Sequence, residues 1–313
     1  MANVAALCLF FFTILRLSSL TSGQECTEDK QTFIVKIGGS CLTDKAHKET
    51  LNEDMLEWFS QTMAEMRHSS HIRYIIVHGA GSFGHFTAKE YGLRSLSTSP
   101  DIDPENQEYL MQGVAETRLS VQTLNQHVIT SLLSHKVPAV SLSPLGLGLA
   151  CPATEEAKNE YQAALQRLVS TTLDAGLVPV LHGDACLYGK YGAGILGGDT
   201  LMELLSADQA IFVTDVAGIY TSNPHTDPNA TLVERIEIDA EGKLSTAGVT
   251  ASGSRHDHDV TGGLAGKLGA AATLAKENTP VVIVECGTIS AQQALRGHDF
   301  SLGTRVVRIA EAG

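Results

Sequence analysis

No run of lysine or arginine occurs anywhere in the 313 residues, and 22 basic against 35 acidic residues give a formal balance of −13. That argues against a nucleic-acid groove or an anionic membrane surface as partner. The six cysteines, at positions 8, 26, 41, 151, 186 and 286, include no CxxC pair and no dense spacing. A zinc framework or a small disulfide-stapled scaffold is thereby excluded, and buried free thiols in a reducing compartment are expected. No GxxxxGK[ST] loop is present, which removes P-loop enzymes on motif grounds. There is also no internal repeat and no low-complexity tract. Residues 7–17 (LCLFFFTILRL) form an apolar run too short to span a bilayer. Small residues 21–23 follow it in the manner of a secretory signal, but no basic n-region precedes it and Arg16 interrupts it. The sequon Asn229-Ala230-Thr231 acquires meaning only if the chain enters the secretory pathway.

What is present is a 43% apolar chain, enough to bury a real core, with a length prior of about two domains or lobes at roughly 150 residues each. Its 29 glycines cluster at Gly38-Gly39, Gly197-Gly198 and Gly262-Gly263. Glycine in clusters means backbone brought close to a ligand, and phosphate is the natural candidate. Short apolar runs at 33–37, 74–78, 137–141, 177–182, 210–214, 280–285 and 305–309 alternate with helical patterns, which predicts a parallel α/β sheet. Apolar residues three or four apart (Met55, Phe59, Met63, Met66; Val121, Leu124, Val128, Leu132; Tyr161, Leu165, Leu168, Leu173) mark the buried helix faces. The third of these helices ends at Ala175-Gly176, a C-cap. Residues 95–105 and 240–259 read as surface loops or lids.

The chemistry falls where the predicted strands end. Lys36 sits inside a strand otherwise suited to burial and therefore needs an anion. Gly38-Gly39-Ser40 offer a phosphate cradle directly after it, and Lys45 follows. Two lysines flanking a glycine-rich turn suit a transferring phosphoryl group; the alternative is a snorkelling Lys36 and a solvated Lys45. The second turn, Gly79 to Gly84, contains GxGxxG. It is not on the first strand and has no acidic residue about 20 positions on, so a dinucleotide fold is disfavoured. His85 closes that turn as a phosphate donor or a structural histidine. Asp199 either orients the lysines or simply N-caps its helix. Adjacent positions in His256-Asp257-His258-Asp259 make a poor metal site.

Taken in order, Lys36-Ile-Gly-Gly-Ser40 with Lys45, Gly79-Ala-Gly-Ser-Phe-Gly-His85, His182-Gly-Asp184, Gly198-Asp199, Thr214-Asp215-Val-Ala-Gly218-Ile-Tyr220, Asp259-Val-Thr-Gly-Gly263 with Lys267, and Gly303-Thr304 resemble the amino acid kinase superfamily. Within it the GAGSFGH turn is similar to that of the isopentenyl phosphate kinases. The resemblance covers about residues 32–308. It implies a three-layer αβα sandwich with a mainly parallel open sheet, preceded by a signal-like or disordered segment over residues 1–30. The domain at 31–313 would divide into an acceptor-binding lobe (about 31–195) and a nucleotide-binding lobe (about 196–313), usually in a homodimer. ATP and Mg²⁺ are the implied cofactors, a small-molecule phosphate the implied partner, and ATP-dependent conversion of isopentenyl phosphate to isopentenyl diphosphate the implied activity. By the same resemblance Lys36, Gly38, Gly39, Ser40 and Gly81 contact nucleotide phosphates, and Asp215, Gly263 and Lys267 also serve the nucleotide. Lys45 stabilises the transition state, and Ala80, His85 and Gly183 hold the acceptor phosphate. Ala217 and Leu264 depart from residues frequent in the family and bear on fine nucleotide contacts. A fosfomycin kinase-like activity, or a binding protein on the same fold, is the alternative. The dispersed cysteines and the need for ATP point to the cytoplasm.

Overall fold

A computed structural model describes residues 30–67, 71–95, 107–145, 150–151, 154–188, 192–222, 224, 227–244 and 262–309. The signal-like segment, most of the two expected loops and the His256 to Asp259 stretch lie outside them.

The strand β1 (Gln31–Ile37) reads QTFIVKI and is buried from Thr32 onward. It pairs in parallel with β2 (Ile72–His78) on one side and with β9 (Gln209–Thr214) on the other. Beyond β2 lie β6 (Val178–His182) and β4 (Ala139–Ser141); beyond β9 lie β11 (Val281–Glu285), β12 (Thr304–Arg308) and β10 (Arg235–Ile238). Among the described pairs of this eight-stranded sheet, β11 with β12 is the one antiparallel step. The alternation along β1 sorts its side chains onto two cores. Ile34 joins Leu165 and Val169 of α5 (Glu155–Asp174), Leu201 of α6 (Gly198–Glu203) and Leu274 of α7 (Gly262–Lys276). Phe33, Val35 and Ile37 pack instead with Phe59 and Met63 of α2 (Glu53–Met66), Leu124 and Val128 of α4 (Gln107–Ser134) and Ala291 of α8 (Ile289–Leu295). Helices on both faces of a mainly parallel sheet give the expected three layers.

The anticipated apolar stripes run along the buried faces of α2, α4 and α5, with Met55, Tyr161 and Leu168 at their half-buried margins, and Gly176 ends the turn after α5 at φ 76°. Sequence patterning missed a second sheet, in the order β3 (Arg94–Ser95), β8 (Gly192–Leu196), β7 (Asp184–Tyr188) and β5 (Ala150–Cys151). Its strands are short, and β8 is rich in glycine. β10 was missed as well, because charged residues interrupt its four-residue run.

Cys186, wholly buried on β7, is disulfide-bonded, which corrects the expectation of free thiols for that residue. Cys41 and Cys286 are free. No helix among the described residues is long and apolar enough to cross a membrane.

Candidate active site

Two glycine turns touch at the carboxyl end of the sheet. α1 (Gly39–Leu42) follows β1, and α3 (Gly81–Glu90) follows β2. A Cβ placed on Gly39 would lie 2.3 Å from the Gly81 amide nitrogen. Gly81 has φ 51°, and a Cβ there would meet Thr43 Oγ1 at 2.3 Å. Thr43 staples the pair: its hydroxyl donates to the Gly39 carbonyl at 2.7 Å and accepts from the Ser82 amide at 2.9 Å. The third glycine of GxGxxG has a packing role, since a Cβ on Gly84 would come within 2.5 Å of Ala80 Cβ. The Ser82 amide is taken by Thr43, whereas the amides of Gly39, Ser40 and Gly81 have no carbonyl one turn earlier in their helices, so both turns bring a positive helix end to the same space.

Around this space stand three ammonium groups and two carboxylates. Lys36, at 8% exposure, forms an ion pair with Asp199 and lies 5.6 Å from the centre of the Phe212 ring. It runs tightly over Gly198, where an added Cβ would meet its Cε at 3.0 Å. The anion that buried Lys36 needs is thus Asp199, on the first turn of α6. The N-cap of α6 is Gly197, so Asp199 is not the cap. Lys45 is paired with Asp215 instead, at 2.6 Å, and Lys267 stands 4.0 Å from the other Asp215 oxygen. Burial alone would raise the Asp215 carboxyl. The hydrogen bond and charge of Lys45, helped by Lys267, outweigh it and bring the group down to about 2. Burial lowers Lys267, against the pull of Asp215.

Lys45 is presented by a folded loop. Thr43 bridges Leu51, the Asp44 amide donates to the Thr50 carbonyl at 2.9 Å, and the Asp44 side chain accepts from Ala46 N at 2.8 Å. The cavity beside Ser40 and Lys45 is also lined by Asp44, Glu53 and Asp54, so the ammonium groups themselves, rather than a net positive charge, are what the site offers a polyphosphate. Gly263 lies in the first turn of α7, whose Lys267 faces the same carboxylate. Thr304 closes the floor: its hydroxyl accepts from Ile219 N at 2.8 Å and donates to the Val233 carbonyl at 2.7 Å, fixing the segment that follows Asp215.

The opposite flank is built on buried polar groups. His85 reaches solvent from α3; partial burial of the ring and then the Lys45 charge lower its pKa. His78 and His182 end the adjacent strands β2 and β6, in register, with ring centroids stacked 5.5 Å apart. His78 Nε2 lies 3.1 Å from Asn125 Oδ1, and Asn125 donates to Ser141 Oγ at 2.6 Å. Asp184 is 1% exposed, bonds Arg118 at 2.9 Å, and is pushed up to about 6 by burial against the opposing pull of that guanidinium. Two anticipated donors are committed internally: the Gly183 amide to the His78 carbonyl at 3.1 Å and the Gly38 amide to the Val213 carbonyl at 2.8 Å.

Sequence reasoning missed Arg118 and Asn125. They share the helix stripe of Val121 and Val128, at steps of three and four, so a charged and an amide residue on an apolar face was the available signal.

This cluster sets a pH response. His182 is pulled down to about 4, by burial first and then by His78, and burial lowers His78 too. The stability tied to the neutral His182 ring is present above its ordinary 6.5 and lost as pH falls toward about 4, and His78 acts in the same direction. Asp184, raised to about 6, acts in reverse: between about 6 and its ordinary 3.8 the fold gains as pH falls. At 1.36 kcal/mol per unit, His182 and Asp184 each contribute about 3 kcal/mol of opposite sign. Asp184→Asn should therefore steepen the loss of stability between pH 6.5 and 4, by about that amount. Denaturant titrations giving the same pH slope for both proteins would refute the opposition.

The profile of the amino acid kinase family matches residues 31–285. The isopentenyl phosphate kinase of Arabidopsis thaliana is 29% identical over 310 residues, covering 84% of this chain and 90% of its own length. That of Methanothermobacter thermautotrophicus is 32% identical over 290 residues, covering 88% and 98%. Among solved structures, an X-ray structure of isopentenyl phosphate kinase superposes with a TM-score of 0.70 at 28% identity, over 88% of this chain and all of that one.

Proposed function

The chain belongs to the amino acid kinase family, and from that premise we propose that it is an ATP-dependent small-molecule kinase converting isopentenyl phosphate to isopentenyl diphosphate. The observation that carries this reading is the set of Lys36, Lys45 and Lys267, held by Asp199 and Asp215 where two helix N-termini meet. Isopentenyl phosphate kinases that match over most of their own length supply the substrate.

The reaction is a direct displacement. An oxygen of the acceptor phosphate attacks the γ-phosphorus, the bond to the β-phosphate oxygen breaks, and ADP leaves with those electrons. The acceptor is already an anion, so no strong base is needed. Lys36, Gly39, Ser40, Gly81, Gly263 and Lys267 line the nucleotide side, with Asp215 holding Lys45 and Lys267 in place. Ala80 and His85 lie on the acceptor side. Gly38 and Gly183 act through position, since their amides are spent within the protein. Mg²⁺ supplies charge neutralisation between nucleotide phosphates. Among the described residues no three metal-ligating side chains gather, and Asp199 and Asp215 are both taken by lysines. The described residues offer that ion no cage of their own.

ADP release by the purified chain, offered isopentenyl phosphate, dimethylallyl phosphate and fosfomycin in turn, tests the assignment. Turnover of fosfomycin in preference to isopentenyl phosphate would replace it. His85→Ala should lose about 2–4 kcal/mol of transition-state stabilisation, the size of one preorganised donor, and His85→Gln should keep part of it. An alanine variant with undiminished kcat/KM removes His85 from the acceptor site.

A further inference from the structure

We propose that Glu49 is a positioning residue for phosphoryl transfer, tethering the loop that carries Lys45 to the acceptor-side helix α4. Its effect on turnover rests on the proposed function; the tether itself does not. Lys45 stands on an exposed loop, with its side chain 69% exposed, and the loop is closed at its base where Thr43 bridges Leu51. A cation that acts on a migrating phosphoryl group needs its backbone fixed, because an ångström of misplacement costs about a hundredfold in rate. The ion pair with Asp215 fixes Lys45 toward the nucleotide. Glu49 fixes the returning limb of the loop toward the acceptor.

Glu49 Oε1 lies 2.6 Å from Ser120 Oγ on α4, and that buried hydroxyl is also 2.6 Å from the Phe83 carbonyl of α3. One proton is thus shared between a carboxylate and a backbone oxygen, and the loop, α3 and α4 meet at a single hydroxyl. The other links from this limb to α3 are longer. The Glu49 amide donates to the Ser82 carbonyl at 3.4 Å, and the Thr50 amide donates to Ser82 Oγ at 3.3 Å. The short contact to Ser120 is therefore the strongest of them.

The backbone carries the same message. Glu49 has φ 52°, in the left-handed region that glycine enters without steric cost and other residues do not. Strain of this kind persists where the surrounding contacts over-determine it, and the contact that glycine could not make here is the one to Ser120. On α4, Ser120 is flanked by Arg118, which holds Asp184, and by Asn125, which meets His78. Lys45 is thereby located from both sides, by Asp215 on the nucleotide flank and by the helix that orders the buried polar groups of the acceptor flank.

The test uses the full-length protein, read by steady-state kinetics with ATP and isopentenyl phosphate, by thermal melting and by hydrogen exchange of the amides at 44–50. Glu49→Gly cuts the tether and at the same time relieves the left-handed strain. We expect kcat lowered about tenfold, KM for ATP within about twofold of wild type, a melting temperature unchanged or raised, and faster exchange in the loop. Ser120→Ala should give the same loss in kcat, and the double variant no further loss. Glu49→Gln keeps an acceptor oxygen at the same reach and should hold kcat within about twofold. Undiminished kcat in Glu49→Gly, a second full loss in the double variant, or Glu49→Gln as slow as Glu49→Gly each overturns the proposal. A kcat loss matched by a lowered melting temperature would make the contact merely structural and overturns it too. Unchanged loop exchange in Glu49→Gly rejects the tether whatever the substrate, whereas a wild-type protein that does not turn over isopentenyl phosphate counts against the kinase reading.

Discussion

Lys45→Met is expected to reduce kcat by at least about a hundredfold, some 2.7 kcal/mol at 1.36 per decade, with a much smaller change in ATP affinity. Lys45 bonds Asp215 on the nucleotide side, and its charge depresses His85 on the other flank. On the proposed reading the ammonium stands between donor and acceptor. Charge on a migrating phosphoryl group redistributes in the transition state, and a cation placed there gains more at that moment than in the ground state. Methionine keeps the length and removes the charge. Lys36→Met should differ by weakening ATP binding along with turnover, because Lys36 is buried on β1 against the nucleotide turn. A lysine that is merely solvated predicts changes within about a factor of two. Steady-state kinetics with ATP and isopentenyl phosphate varied separately decide the matter: an unaltered kcat for Lys45→Met removes it from the reaction.

Gly39→Ala should be as damaging, by geometry alone. The new Cβ would sit 2.3 Å from Gly81 N and 2.6 Å from Gly81 Cα, and neither is the end of a flexible side chain. The turns after β1 and β2 must part. Displacement of a positioning element by an ångström costs about a hundredfold in rate. We expect at least that loss in kcat/KM, with a lowered melting temperature. Gly38→Ala is the internal control, because its nearest neighbour would be at 3.4 Å and its φ is −62°. Equal behaviour of the two variants would show that the close approach is not what the site depends on.

Much of this was readable in advance where a residue contradicts its surroundings. Lys36 inside a buried strand announced an anion, and Asp199 meets it. The apolar runs marked the central strands to within a few residues, because parallel strands buried on both faces carry little else. The division of labour between Asp199 and Asp215 was not readable. It depends on β9 lying beside β1, and the separation of 170 residues between Lys45 and Asp215 says nothing about lateral order. The stacking of His78 on His182 has the same origin, since it exists only because β2 and β6 are neighbours. Arg118 and Asn125 were hidden by the very stripe that located α4. In the second sheet β3 and β5 are two residues long and β8 is rich in glycine, so they do not register as a pattern.

The place of β1 at the middle of its sheet has a consequence for synthesis. Its first partner, β2, begins at Ile72, but its second begins at Gln209. Ribosomes add about 5–20 residues per second, so the β9 edge of β1 stays uncovered for roughly 7–30 seconds after β2 emerges. Over that interval a strand of almost uninterrupted apolar side chains presents unpaired backbone groups, with Lys36 still lacking the carboxylate that arrives 163 residues later. An open edge of this kind invites pairing between nascent chains. Lys36 is the charge in that stretch which opposes such pairing, so the residue assigned to the nucleotide also guards the chain before the site exists.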